Sequence, residues 1–263
     1  MNDRIEIAID AHVADVKLNR PDKLNALDVR MFEALGEAAD RVASDRSIRA
    51  VILRGAGGNF CAGIDLSVLA DSELDFGEAL KTCIEPSAAN VFQRAAYAWR
   101  ELPIPVICAI EGVAFGAGMQ IALGADIRYA AVDAKFSIME AKWGIIPDMG
   151  ISTTLRHLVA PDRVKELSWS ARILGSNEAL ALGLITAVED DPIGASREFA
   201  INCAEKSPDA IRGIKSLVNR AWQMSEKDSL AFEAHLQFGI IGAENQVEAV
   251  NANLSKRRPE FKD

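Results

Sequence analysis

The sequence predicts an α/β fold around a largely parallel sheet, followed by a helical C-terminal end. Three observations predict it. Short apolar β-type runs alternate with amphipathic helical stretches from residue 5 onward. Two of these runs lead directly into glycine-rich turns. Beyond residue 190 strand content falls away and helical spacing takes over. Strand, helix and strand in succession favour right-handed crossovers, and hence parallel pairing.

The elements follow in order. Residues 5–9 and 13–18 read as strands, with Asp10-Ala11-His12 as the turn between them. Asn19-Arg20-Pro21-Asp22 breaks the pattern. Asp28 stands where an N-cap belongs, and Val29, Phe32, Leu35, Ala39 and Val42 follow at helical spacing. Residues 50–53 form a short buried strand, ended by Gly55, Gly57 and Gly58. Residues 66–87 are charged and weakly periodic, which suggests a mobile loop with short helices. Residues 90–102 read as a helix stopped by Pro103 and Pro105. Strands are expected at 106–110, 127–130 and 184–188, with a helix at 116–123. Helices are expected at 195–206, 208–224, 226–240 and 245–254. The division expected is a core over residues 1–190 and a helical region over 191–263.

Length and composition narrow the function. A chain of 263 residues suits one large domain, and 49% hydrophobic with 25% charged residues argues against disorder. Lys and Arg total 29 against 38 Asp and Glu, a net charge of −9. Nucleic acid is therefore not an expected partner, because phosphate binding needs a basic footprint. The longest apolar stretch, 113–125, contains Gln120 and three glycines and is too short to span a membrane. Seven charges in the first 20 residues leave no room for an apolar signal core. The cysteines (61, 83, 108, 203) form no CxxC pair, and the histidines (12, 157, 235) lie far apart. The expectation is a cytoplasmic protein with reduced thiols and no metal.

No dinucleotide fingerprint, phosphate-binding loop or GxSxG elbow is present. Two glycine-rich turns and a few acids remain. Gly57-Gly58-Asn59-Phe60-Cys61-Ala62-Gly63-Ile64-Asp65 and Glu111-Gly112-Val113-Ala114-Phe115-Gly116-Ala117-Gly118 each follow a buried strand. In parallel α/β folds ligands sit at the carboxyl ends of strands. The second turn also opens a helix, whose N-terminus carries free N–H groups and partial positive charge. Two such donors converging on one oxygen make an oxyanion hole; the alternative is that the glycines serve only tight turns and packing. Glu140 lies among apolar residues, so its neutral form is favoured and its pKa rises toward neutrality. Asp148 is either a second acid at the same site or a helix N-cap.

These motifs together resemble the crotonase superfamily, the enoyl-CoA hydratase/isomerase family, over nearly the whole chain. The resemblance is carried by Leu18-Asn19-Arg20-Pro21 with Leu24-Asn25-Ala26-Leu27, by the two glycine turns, by Ala125-Asp126-Ile127-Arg128 and by Ser207-Pro208. It implies a spiral of ββα units with a C-terminal helical oligomerisation region that builds trimers or hexamers. It also implies an acyl-CoA thioester substrate, with coenzyme A part of the substrate and no separate cofactor. The N–H groups of Ile64 and Ala117 match the oxyanion positions. Lys23, Leu24, Ala26, Ala62, Asp65 and Lys262 match positions that hold the thioester and coenzyme A; for Lys23 the alternative is a solvated loop lysine.

Hydratases of the family carry two glutamates, and here the positions are Gln120 and Glu140. Gln120 does not exchange a proton at neutral pH, so one carboxylate is left for proton transfer. Asp148 matches a further acid of dienoyl-CoA isomerases, which also carry an acid at position 120. The leading expectation is double-bond isomerisation by Glu140, with Asp148 as auxiliary acid and Gln120 bonding substrate or water. Hydration with Gln120 positioning water is the close alternative, and a non-catalytic acyl-CoA-binding protein the more distant one.

Overall fold

The computed structural model describes residues 3–69 and 76–263. The strands are β1 (Ile5–Asp10), β2 (Val13–Leu18), β3 (Ala50–Gly55), β4 (Val106–Ile110), β5 (Val113–Phe115), β6 (Ile127–Ala131), β7 (Lys135–Ser137), β8 (Leu174–Gly175) and β9 (Ala187–Glu189). The N-terminal helices are α1 (Val29–Ser44), α2 (Leu66–Leu69), α3 (Phe76–Lys81), α4 (Val91–Glu101), α5 (Ala117–Gly124), α6 (Ile151–Thr154), α7 (Pro161–Ser170) and α8 (Ser176–Ala181). The C-terminal helices are α9 (Pro192–Ala204), α10 (Pro208–Ala221), α11 (Glu226–Ile240) and α12 (Glu244–Leu254).

Burial on both faces explains the main sheet. Its order is β1-β2-β3-β4-β6-β9, and only the β1–β2 hairpin is antiparallel. β4 is buried at every residue, as a central parallel strand should be. A second, three-stranded sheet, β5-β7-β8, was not expected. Its strands are two or three residues long and carry no period-2 pattern to read. Two residues separate β4 from β5 and three separate β6 from β7, so each pair gives one strand to each sheet. That alternation is the spiral of ββα units.

Helices α1 and α4 cover one face. Asp28 caps α1 by accepting from Met31 N at 2.9 Å, and Asn90 with Gln93 forms a capping box on α4. Phe32 and Phe92 meet edge to face between them, 5.1 Å apart at their centres. The other face packs α9 through Val13, Ala50, Ile52, Ile107, Ala200 and Ala204. No break in packing therefore marks residue 190. Helix α9 begins at Pro192, three residues earlier than its apolar spacing suggests, because Asp191 caps it by accepting from Gly194 N at 2.9 Å. The last strand, β9, starts at 187; Leu184 and Ile185 are buried but lie in the turn before it. Within 66–87, short helices α2 and α3 form as expected, and residues 70–75 of that stretch lie outside the described residues. Among the described residues no helix is long and apolar enough to cross a membrane.

Candidate active site

The two glycine turns come together at the carboxyl ends of β3 and β4. The first runs alongside β5, where Cys61 N donates to Val113 O at 2.9 Å and Phe115 N to Cys61 O at 3.0 Å. Gly63 sits at the crossing with φ +96°, and a Cβ there would stand 2.7 Å from Phe115 O and 3.6 Å from Ala117 N. Only glycine lets these loops approach so closely. Neighbouring donors in the first turn are occupied: Ala62 N bonds Leu24 O, Gly63 N bonds the Cys61 sulfur, and Asp65 N bonds Leu27 O. Among the described residues the N–H groups of Ile64 and Ala117 have no bonded acceptor, and both residues line one cavity of about 620 Å³. Ala117 is the first residue of α5, so its N–H also carries the helix's positive end.

Glu140 enters the same cavity from a 3-10 turn after β7. It is 6% exposed. Its Oε1 accepts from Gln120 Nε2 at 2.6 Å. Its Oε2 is buried with no hydrogen-bond partner among the described residues. Burial raises the Glu140 pKa, and the nearby Asp148 charge raises it further, against hydrogen bonds from its own peptide and Gln120 that lower it. Asp148 lines the cavity, and burial raises its pKa as well. It does not cap a helix: Gly150 occupies the N-cap of α6. Asp148 thus lines the same cavity as Glu140.

Gln120 does more than the sequence suggested. Its Oε1 accepts from Met149 N at 2.8 Å. A peptide N–H can only donate, so the amide is oriented with Nε2 toward Glu140. Gln120 therefore ties the Glu140 carboxylate to the Asp148-Met149 loop, and one Nε2 hydrogen remains for another acceptor.

Asp65 is engaged by protein groups. Its Oδ2 accepts from Arg20 Nη1 at 2.7 Å and its Oδ1 from Ser67 N at 3.1 Å. The Ser67 peptide and the Arg20 guanidinium together hold its pKa down to about 2. Arg20 also donates to Ala26 O at 3.0 Å. It thereby joins the 20–27 turn to the first glycine turn, a role masked in the sequence because Arg20 lies in what reads as a loop breaker. Ala62 lines the cavity beside Ile64. Lys23, Leu24 and Ala26 lie on the adjoining turn, where Leu24 and Asn25 take left-handed φ values. The Lys23 ammonium has no hydrogen-bond or ion-pair partner among the described residues. Lys262 is not brought to this site. It pairs with Glu244 at the start of α12, and neighbouring Asp263 bonds Arg49 at 2.6 Å, beside the N-terminal ends of β2 and β3.

The relationship to known proteins agrees with this geometry. The family model described as enoyl-CoA hydratase/isomerase matches residues 8–263. The chain belongs to the enoyl-CoA hydratase/isomerase family. Its members are enoyl-CoA hydratases, which are lyases, and isomerases. An enoyl-CoA hydratase of Mycobacterium tuberculosis is 32% identical over 255 residues, 96% of this chain and 94% of that protein. A peroxisomal Delta(3,5)-Delta(2,4)-dienoyl-CoA isomerase of Arabidopsis thaliana is 31% identical over 259 residues, 96% and 93%. The crystal structure of an enoyl-CoA hydratase from Bacillus anthracis superposes with a TM-score of 0.89 at 29% identity, covering 98% and 99%. This family member thus resembles both kinds of enzyme, and its own site must discriminate between them.

Proposed function

We propose that this enzyme shifts the double bond of an enoyl-CoA thioester. The observation that carries the reading is the state of Glu140: one oxygen held by a fixed amide, the other buried and unpartnered. That leaves a single carboxylate atom, Oε2, to move a proton between two carbons. For a 3-enoyl-CoA, Oε2 takes a proton from C2, and the electron pair forms C2=C3 while C3=C4 opens. The negative charge passes through the thioester oxygen, where the N–H groups of Ile64 and Ala117 stabilise it. Oε2 then returns the proton to C4. Asp148 acts as the auxiliary acid, and Gln120 orients Glu140. Lys23, Leu24, Ala26 and Ala62 hold the coenzyme A end.

Hydration is the second reading, supported by the remaining Nε2 hydrogen of Gln120 and by the hydratases among the relatives. Glu140 would take a proton from water, hydroxide would add to C3 and the enolate would be protonated at C2. An assembly of three or six copies is part of the proposal, supported by exposed apolar side chains on the C-terminal helices.

Incubation with 3-enoyl-, dienoyl- and crotonyl-CoA, followed by thioester absorbance, tests the reading. Isomerised product from the first or second is the expected outcome, and hydration of crotonyl-CoA alone would overturn it. Glu140→Gln should lower kcat by at least about 100-fold, the usual worth of a positioned proton-transfer group.

A further inference from the structure

The cavity has two kinds of wall. Backbone amides, Gln120, Glu140 and Asp148 form the polar one. The other is carbon, built from Phe32 on α1, Leu66 on α2, Leu80 on α3 and Phe92 on α4, together with Trp143 and Ile146. Phe32 and Phe92 are buried and form an aromatic floor. Leu66 and Leu80 are 47% and 45% exposed, so the cavity keeps large aliphatic side chains in contact with water. Covering such surface is favourable for an apolar ligand. At about 620 Å³ the cavity is also in the range that encloses drug-sized molecules, far more than a four-carbon acyl group fills.

The charges point the same way. Among the described residues no Lys, Arg or His lines the cavity, and its only ionisable groups, Glu140 and Asp148, are acids. The Lys142 ammonium stands 5.3 Å over the Trp143 ring, and Lys142 is not part of the lining. A carboxylate at the end of an acyl chain would lose water here without gaining a cation.

We propose, resting on the acyl-CoA reading above, that the acyl group taken is an uncharged hydrocarbon chain longer than four carbons, and that acyl groups ending in a carboxylate are rejected. Each buried methylene raises affinity about fourfold. The test measures calorimetric affinity for the unreactive butanoyl-, octanoyl- and glutaryl-CoA, beside kcat/KM for the matching enoyl-CoAs. Octanoyl-CoA, with four more methylenes, is expected to bind up to about 250-fold more tightly than butanoyl-CoA, and glutaryl-CoA more weakly than either. Leu80→Ala should weaken octanoyl-CoA several-fold and butanoyl-CoA by less. Equal affinity for the two saturated chains, or glutaryl-CoA binding as well as octanoyl-CoA, overturns the proposal. Absence of turnover with this affinity order intact would instead overturn the catalytic reading and leave the specificity standing.

Discussion

At Glu140 a carboxylate is held in a place that disfavours its charge. Its raised pKa means that the folded protein binds a proton there more tightly than the unfolded chain does. Stability from this group is therefore full below the ordinary glutamate pKa, and is lost as pH rises through the raised value. Glu140→Gln should raise Tm at pH 8, by an amount corresponding to about 1–3 kcal/mol, and the difference should shrink toward pH 4. If Glu140 is the base, as proposed, activity runs the opposite way, because the base must be ionised: kcat should fall on acidification at a pH above the usual glutamate range. Gln120→Glu would put a second carboxyl against Glu140 Oε1, where two close carboxylates share a proton. The acidic limb should then move to higher pH and crotonyl-CoA hydration should increase; an unchanged profile would show that position 120 does not govern the choice of reaction.

Two loops and one helix start decide whether the oxyanion donors converge. Gly63 makes the crossing possible, so Gly63→Ala forces a side chain onto the Phe115 carbonyl and displaces the Ile64 N–H. A misplacement of this kind should cost about 100-fold in kcat, with acyl-CoA affinity less affected. Stopped-flow turnover beside calorimetric binding checks that split. The Arg20–Asp65 pair braces the same turn from below, and Asp65, with a pKa of about 2, keeps that brace until strongly acid pH. The helix α10 is fixed differently, by Lys215. This buried ammonium donates to Ile104 O at 2.8 Å and pairs with Asp126 at 2.7 Å, attaching the C-terminal helices to the core.

On the scale of the whole molecule the helical end is unfinished as a surface. α11 buries none of its residues within the chain, and Phe238 and Leu254 are 86% and 79% exposed. On α10, Ile214, Val218 and Trp222 just past its end are exposed as well. Apolar surface on this scale marks an interaction site. Sedimentation should report three or six copies, and Phe238→Glu with Leu254→Glu should reduce the mass while leaving the monomer's circular dichroism unchanged.

Much of this was legible in the sequence, because periodicity and punctuation report local physics. The apolar runs gave the main strands, Asp28 and Asn90 mark their helices, and the glycine turns at 63 and 116–118 announce backbone brought close to a ligand. Glu140 was identifiable from its apolar neighbours. The second sheet was not, since strands of two or three residues carry no pattern and exist only through partners distant in sequence. Nor could sequence orient the Gln120 amide or expose the brace from Arg20. Those depend on which groups face one another after folding. The chain alone determined the fold and the family; the tertiary structure decided which oxygen of Glu140 is left free, because a hydrogen bond from Gln120, 20 positions away, fixes the other.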